Sequence, residues 1–339
     1  MENIIELRNI STEFKVGKKQ IKIVKDVSLD VKKGQILSLV GESGSGKSVT
    51  VNSMVNLLPK NGRITSGNSY FYSEDGNTYD ISKLKPYGKT MRNIRGKEIG
   101  MIFQDPMQSL NPVYTVGKQI EENIRQHNKV SKKQAREIGV AMLKSLGIPE
   151  ADKRWDAYPH QFSGGMKQRA MIAIAMVNNP NLLIADEPTT ALDVTIQAQI
   201  MDLMKELKEK QGKSVILITH NMGLVAEVAD QVAVMYMGRI IEYGEIKDVF
   251  ENPSHPYTKL LLKSVPIPGM DRNKKLATIP GETPDPADYV KGCEFANRCQ
   301  FATDECLKKD IPLYRICDEH VARCILHEGK KELVDEHRQ

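Results

Sequence analysis

The residues best equipped for chemistry come early, at Gly41-Glu-Ser-Gly-Ser-Gly-Lys47-Ser48, directly after the apolar run Ile36, Leu37, Leu39, Val40. Glycines, a lysine and a serine at the spacing G-x-x-x-x-G-K-[ST], between a strand and a helix, make a phosphate cradle. The glycines let successive backbone N–H groups turn inward on phosphate oxygens, and the next helix points the positive end of its dipole at the same charge. Gly41, Ser43, Gly44, Gly46 and Val49 would line the cradle, Lys47 would reach the β- and γ-phosphates, and the Ser48 hydroxyl would ligate Mg2+. The bland alternative is a glycine-rich turn that happens to match. With a strand before it and Ser48-Val-Thr-Val-Asn-Ser-Met-Val opening a helix after it, the cradle is favoured, and the chain is expected to bind a nucleoside triphosphate.

Other positions fit the same chemistry. Asn181-Leu-Leu-Ile-Ala-Asp186-Glu187 is a continuous apolar run ending in two acids, the pattern of a parallel strand covered on both faces. Asp186 is placed to hold the Mg2+ water shell and Glu187 to polarise a water for attack on the γ-phosphate; otherwise the two acids simply end a strand in solvent. Gln104 follows the buried run Ile99–Phe103, and His220 follows Ser214–Thr219. Polar side chains at the carboxyl ends of such strands face the crevice where open α/β sheets bind ligands. Gln104 is then expected at Mg2+ or the attacking water and His220 at the γ-phosphate, although singly each reads as an ordinary loop or structural residue. Ser163-Gly164-Gly165 opens an apolar helix running to Val177, and free N–H groups with a serine hydroxyl make an anion site. That is a second phosphate site in a chain that already has one. Phe14 could stack on adenine or fill core.

The elements that must position these residues are legible in outline. At 339 residues, 40% apolar and 27% charged, the chain has the size and composition of a soluble globular protein with one large or two modest domains. A net charge of +5 is mild and spread out, weak support for nucleic acid and compatible with a membrane-facing surface. No apolar run reaches bilayer-spanning length, and Met1-Glu-Asn-Ile-Ile-Glu lacks the regions of a signal peptide, so a cytoplasmic protein is expected. Residues 3 to 40 alternate apolar and polar, predicting antiparallel β structure; residues 58 to 95 are polar; residues 117 to 147 are helical by pattern. There Ser131 and Gln134 form a capping box, Ile138, Met142 and Leu146 share a face, and Gly147 supplies a stop. Ile200, Leu203, Met204 and Leu207 mark a helix packed on the sheet.

The tail differs from the rest. Pro266, Pro268, Gly269, Pro280, Gly281, Pro284 and Pro286 punctuate a linker, and all five cysteines fall between Cys293 and Cys324. In a reducing compartment disulfides are a poor explanation for the clustering. Cys293, Cys299, Cys306 and Cys324, spaced C-x5-C-x6-C-x17-C, predict a metal staple in a segment too small for much core. Zinc and a four-iron cluster both accept four thiolates; the absence of C-x2-C pairs tilts away from zinc.

Taken in order, Gly41 to Ser48, Gln104, Ser163-Gly-Gly165, Asp186-Glu187, Ala191-Leu-Asp193 and His220 resemble the nucleotide-binding subunit of ABC transporters over residues 3 to 250. They correspond to its Walker A, Q-loop, signature, Walker B, D-loop and H-loop. Phe162 stands where leucine is commoner, and Met166 where glutamine is usual; neither change removes a phosphate ligand. The resemblance implies an α/β fold with a mixed sheet, an antiparallel β subdomain and a helical subdomain. It also implies two subunits paired head to tail, with Ser163, Gly164 and Gly165 acting in trans on the partner's ATP, Asp193 among the nucleotide-binding residues, and Phe14 stacking on adenine. Asn252-Pro-Ser-His255-Pro256-Tyr257-Thr258, and Phe103-Gln-Asp-Pro-Met-Gln-Ser-Leu-Asn-Pro112, resemble segments of dipeptide and oligopeptide importers. Gly292 to Cys299 and His320 to Cys324 resemble the tail of peptide-importer ATPases, some of which carry a [4Fe–4S] cluster; zinc, or no metal, are the alternatives, and Cys317 reads as a spare buried thiol. The implied division is an ATP-binding domain over 1–252 and a cysteine-rich extension over 253–339. The implied protein is an ATPase on the cytoplasmic face of the membrane, coupling ATP hydrolysis to peptide uptake. Its implied partners are two transmembrane permeases, a paralogous ATPase and, indirectly, an external peptide-binding lipoprotein, with no nucleic acid. Import of nickel, metal chelates or oligosaccharides is the near alternative. A soluble ABC ATPase acting on DNA or ribosomes is the distant one, disfavoured by a single cassette and no sustained heptads in residues 49 to 162.

Overall fold

The computed structural model describes residues 2–105, 109–189, 194–265, 278–287 and 291–330. In chain order the strands are β1 Asn3–Val16, β2 Lys19–Lys32, β3 Ile36–Val40, β4 Gly62–Tyr72, β5 Thr78–Asp80, β6 Ile99–Ile102, β7 Leu182–Asp186, β8 Ser214–Ile218, β9 Gln231–Tyr236, β10 Arg239–Glu245, β11 Tyr314–Cys317 and β12 His320–Ala322. The α-helices are α1 Lys47–Met54, α2 Lys89–Ile94, α3 Val116–His127, α4 Lys132–Ser145, α5 Ala151–Arg154, α6 Gly164–Met176, α7 Val194–Gln211, α8 Met222–Val228, α9 Ile246–Glu251, α10 Pro256–Lys263 and α11 Asp304–Lys308. Among the described residues no helix is long and apolar enough to cross a membrane.

The chain divides into two compact units. The first, residues 1–4, 31–35 and 71–218, holds β6, β7 and β8 side by side and parallel, with Ile99 opposite Leu182 and Leu182 opposite Ser214. Every residue of β7 and β8 is buried, as their unbroken apolar runs require. A helical layer in the same unit buries Val116, Ile120, Ile124, Leu143, Trp155 and Phe162 around one core. Phe162, the residue that departs from the family pattern, is a member of that core.

The stretch 117–147, helical by pattern, forms two helices, the second starting at the expected capping box. Thr115 caps α3 through its hydroxyl, and α4 starts at Ser131, where the capping box with Gln134 is present. The most buried side of α4 lies beside the Ile138, Met142, Leu146 face, of which Met142 and Leu146 pack half-buried against the core. It carries Ala135, Gly139, Val140 and Leu143, and Ile138 is 42% exposed. The reason is steric: the indole of Trp155 lies against Gly139, and a Cβ there would come 2.2 Å from Trp155 Cζ3. Small residues make the seat, so the most apolar stripe is not the most buried. The polar stretch 58–95 also contains structure, namely β4, β5 and α2.

The second unit, residues 5–30, 36–70 and 219–339, holds the phosphate loop and the tail. A two-residue turn with Gly17 at φ 60° reverses β1 into β2, as the alternation predicts, and β4 lies on the other side of β1. A second sheet runs β11-β12-β10-β9-β3. Strand β3 is parallel to β9, and the pairs β9–β10, β10–β12 and β12–β11 are antiparallel. The tail therefore extends the sheet that carries the phosphate loop.

Candidate nucleotide site and cysteine-rich tail

Strand β3 delivers the chain into the loop at Gly41, and α1 leaves it at Lys47. Two glycines are obligatory here. Gly41 has φ 150° and passes so close to β9 that a Cβ would lie 2.2 Å from the Met235 carbonyl oxygen. Gly46, at φ 100°, caps α1 with no side-chain bond of its own, which leaves the first-turn N–H groups available to an anion. Lys47 is 6% exposed, and its Nζ donates to the carbonyl oxygens of Gly41 (2.9 Å) and Glu42 (2.9 Å) and more loosely to Ser45 Oγ (3.4 Å). The ammonium is thus held over the loop by the loop's own backbone. Ser43 and Gly44 are exposed at the mouth of the loop; Ser48 and Val49 are half-buried. Phe14 is half-buried in the same unit, with one edge of its ring against Gly62, where a Cβ would meet Phe14 Cε1 at 2.9 Å. His220 is exposed, in the turn before α8 that Asn221 caps by accepting from Gly223 and Leu224 N–H.

In the first unit, Asp186 ends β7 buried at 6% exposure, and Glu187 follows in left-handed backbone at φ 46°. A glutamate rarely adopts that conformation, which costs on the order of 1–2 kcal/mol and is fixed here by the Glu187 N–H donating to the Ile218 carbonyl (2.9 Å). The kink turns the carboxylate toward Gln104, whose Nε2 donates to Glu187 Oε2 at 3.0 Å. Sequence-predicted Gln104 and Glu187 are therefore brought together, 83 residues apart. Ser163 caps α6 by accepting from Met166 N–H, and Ser163 and Gly164 are exposed while Gly165 is half-buried. Asp193, with Ala191 and Leu192, lies outside the described residues.

Sequence reasoning missed Gln168, which is 2% exposed and donates from Nε2 to the Pro188 carbonyl (2.6 Å). It ties the signature helix to the exit of β7. The signal was present: Gln168, Met171, Ile172 and Ala175 stand at i, i+3, i+4 and i+7, a lone amide on an otherwise apolar buried face.

The tail's residues converge around one small cavity lined by Cys293, Cys299, Cys306 and Cys324 together with His255, Phe301 and Leu326. Burial pushes the Cys293 thiol up to about 12 and raises Cys299 and Cys324 in the same direction, so they are thiols unless a cation supplies the charge that ionises them. Among the described residues no three His, Cys, Asp or Glu side chains converge closely enough to hold a metal ion. Cys317 is not buried, as the sequence led us to expect. It is exposed at the end of β11, at the sheet edge, with its Sγ 3.7 Å from Asp248 Oδ2.

A buried carboxylate organises the join between sheet and tail. Glu242 of β10, with no exposure, accepts from the backbone N–H of Ser254 (2.6 Å) and His255 (2.8 Å) and lies 2.8 Å from His320 Nε2. His255 Nδ1 in turn accepts from Tyr257 N–H (3.0 Å), opening α10. Tyr257 packs in an aromatic cluster with Tyr236 and Phe295.

Comparison with known proteins gives concordant matches. Residues 24–190 match the ABC transporter family model, and residues 241–306 match that of the oligopeptide/dipeptide transporter C-terminal region. The dipeptide transport ATP-binding protein DppD of Bacillus subtilis is 47% identical over 335 residues, 98% of this chain and 97% of that protein. The oligopeptide transport ATP-binding protein OppD of the same organism is 46% identical over 327 residues, 96% of this chain and 89% of that protein. Among solved structures, the dimeric structure of MJ0796, a bacterial ABC transporter cassette, superposes with a TM-score of 0.63 at 31% identity, covering 71% of this chain and 98% of that one.

Proposed function

The chain belongs to the ATP-binding proteins of ABC transporters, in the group whose tail is the oligopeptide/dipeptide transporter C-terminal region, and from that membership we propose how its residues work. It is a peptide-import ATP-binding subunit that hydrolyses ATP to drive dipeptide or oligopeptide uptake, and as such it works with membrane permeases. The observation that carries this is the reach of the likeness: identity near one half runs through cassette and tail together, along almost the whole of a dipeptide transport protein.

In our proposal the loop Gly41, Ser43, Gly44, Gly46 and Val49 wraps the phosphates, Lys47 turns from its carbonyl ligands onto the β- and γ-phosphates, and Phe14 stacks on adenine. Ser48, Gln104 and Asp186 would hold Mg2+, which offsets the charge of the triphosphate when bound. Glu187 orients the water that attacks the γ-phosphate, with His220 beside the same phosphate; Gln104, bonded to Glu187, couples that water site to the surface. Exposed Ser163 and Gly164, with Gly165 and Asp193, complete the ATP site of a partner molecule, as suits a fold whose solved likeness is dimeric. The partner is a paralogous ATPase, two permeases receive the motion, an external binding lipoprotein supplies the peptide, and the chain sits peripherally on the cytoplasmic face of the membrane without nucleic acid.

The same proposal divides the chain into an ATP-binding domain, 1–252, and an extension, 253–339, stapled by a metal centre on Cys293, Cys299, Cys306 and Cys324. A [4Fe–4S] cluster is favoured over zinc. Four thiols lining one cavity are the donor set such a cluster takes, and its iron would supply the charge needed to ionise them. Its role is structural, since hydrolysis needs no redox step.

The test of the engine is Glu187→Gln in the full chain. Mg–ATP binding should persist while turnover falls by about 10²–10⁴-fold, the usual worth of a positioned general base. Wild-type turnover in that variant removes Glu187 from the role.

A further inference from the structure

Glu42, the first variable residue of the phosphate loop, is gripped by the tail. Arg298 Nη1 donates to Glu42 Oε2 at 2.7 Å and Nη2 to Oε1 at 3.2 Å, a two-pronged pair. The remaining donors are used as well: Nη1 to Tyr236 Oη (3.2 Å), Nη2 to the Gly281 carbonyl (3.2 Å) and Nε to the Pro280 carbonyl (2.7 Å). All five N–H groups of the guanidinium have acceptors, and the side chain is 6% exposed. Such saturation fixes the arginine in one pose. Glu42 is held from its backbone side too, its N–H donating to Tyr257 Oη at 2.9 Å.

Both grips come from the tail, and the cysteines build the first of them. Arg298 ends the short turn Ala296–Arg298, whose Ala296 N–H donates to the Cys293 carbonyl (3.0 Å) and whose Ala296 carbonyl accepts from Cys299 N–H (3.2 Å). Cys293 N–H is bonded to the Cys306 carbonyl (2.7 Å). On the other side of the pair, the Glu42 carbonyl is one of the ligands of the Lys47 ammonium. A continuous set of contacts therefore runs from the thiol-bearing loop through Arg298 and Glu42 to Lys47, all inside one compact unit.

We propose that Arg298 is a positioning residue of the nucleotide site, through which the cysteine-rich tail pairs the charge of Glu42 and holds the opening of the phosphate loop in place for ATP. The inference rests on the reading of Gly41–Ser48 as the ATP cradle and adds the tail to it. The electrostatics give the direction: a carboxylate beside a triphosphate repels it unless a cation is paired with that carboxylate. The geometry gives the residue: a planar fork matches both carboxylate oxygens at once, which a lysine cannot do.

The experiment is a double-mutant cycle on the full-length chain, with Mg–ATP affinity read by calorimetric titration and the ATP dependence of hydrolysis measured alongside. Arg298→Ala should weaken Mg–ATP binding by about tenfold or more and raise KM for ATP more than it lowers kcat. In a Glu42→Gln background, the same truncation of Arg298 should change affinity by less than about twofold, because the charge it neutralises is gone. A purely structural arginine would cost the same in both backgrounds, and that result overturns the proposal, as does wild-type affinity in Arg298→Ala. If Arg298→Ala does not yield folded protein, Arg298→Gln, which removes the charge but keeps the stem and a polar end, carries the same cycle and the same two refuting outcomes. Wild-type chain that binds no Mg–ATP would sink the cradle itself; wild-type binding with additive effects would sink only the role of Arg298.

Discussion

Gly139 offers a prediction in which two known effects have opposite sign. It stands inside α4, where glycine costs about 1 kcal/mol relative to alanine, so on helix propensity alone Gly139→Ala should stabilise the protein. Packing says otherwise. The new Cβ would lie 2.2 Å from Trp155 Cζ3, 2.5 Å from Cη2 and 2.9 Å from Ile120 Cγ2, separations that carbon atoms do not tolerate. The indole would have to retreat by about 1 Å to restore normal contact near 3.5 Å. It has little room to do so, because a second glycine, Gly117, is also against the ring, where a Cβ would meet Trp155 Cδ2 at 2.3 Å, and the residue is 4% exposed. Overpacking of a tight core costs about 1–3 kcal/mol, and a ring packed against two glycines belongs at the upper end, so the clash outweighs the propensity gain by about 1–2 kcal/mol. At about 2–4 °C per kcal/mol, the melting temperature should fall by about 2–8 °C. Trp155 is the sole tryptophan of the chain, so its emission reports directly on this locus during a thermal melt. Gly139→Ala melting at or above the wild-type temperature, with unshifted emission, would refute the argument that the indole is seated against two glycines.

Two further outcomes concern the tail. His255 is buried, and burial above all pulls its pKa down to about 4, against the opposing pull of Glu242. Since the folded value lies below the ordinary 6.5, its contribution is whole above pH 6.5 and is lost as pH falls through about 4, worth about 3 kcal/mol in all. Melts of the full chain between pH 7 and 4 should show His255→Asn losing less stability on acidification than wild type, and equal losses would contradict the assignment. Chain purified without oxygen should be brown and hold about four iron atoms, with Cys299→Ser pale; colourless protein carrying one zinc would replace iron by zinc in the proposal.

What was legible in the sequence was local. The phosphate loop announces itself because the backbone conformations it needs belong to glycine, and Gly41 and Gly46 have them. Asp186, Gln104 and His220 were placed by following strands to their carboxyl ends, and the run 182–186 is the buried strand its composition demanded. The illegible part depends on partners far along the chain. Arg298 and Glu42 are 256 residues apart, and nothing near Arg298 in sequence marks it as other than a surface arginine in a cysteine-rich loop. The exposure of Ile138 has a different cause: hydropathy ranks Ile138 above Gly139, whereas the indole packs where the helix surface is smallest. Cys317 was expected to be a spare buried thiol and is exposed because β11 is the edge of its sheet, a position its sequence neighbours do not reveal.

Two carboxylates contributed by the cassette meet the tail in complementary ways. Glu242 is sunk in β10 without exposure, and it accepts the N–H groups that open α10. Those donors would otherwise be orphaned at a buried helix start, at about 1–3 kcal/mol each, so the carboxylate and the helix start depend on one another. Glu42 is only partly covered, at 25% side-chain exposure, and its charge is met by a guanidinium that the tail must first build from the turn at Ala296–Arg298. The first contact anchors; the second reaches a loop whose lysine, in the function proposed here, exchanges the Gly41 and Glu42 carbonyls for phosphate. On this view the aromatic cluster that Tyr236 of β9 forms with Tyr257 and Phe295 of the tail is the backing for the pair: two of its members also place a hydroxyl on Arg298 or on the Glu42 N–H.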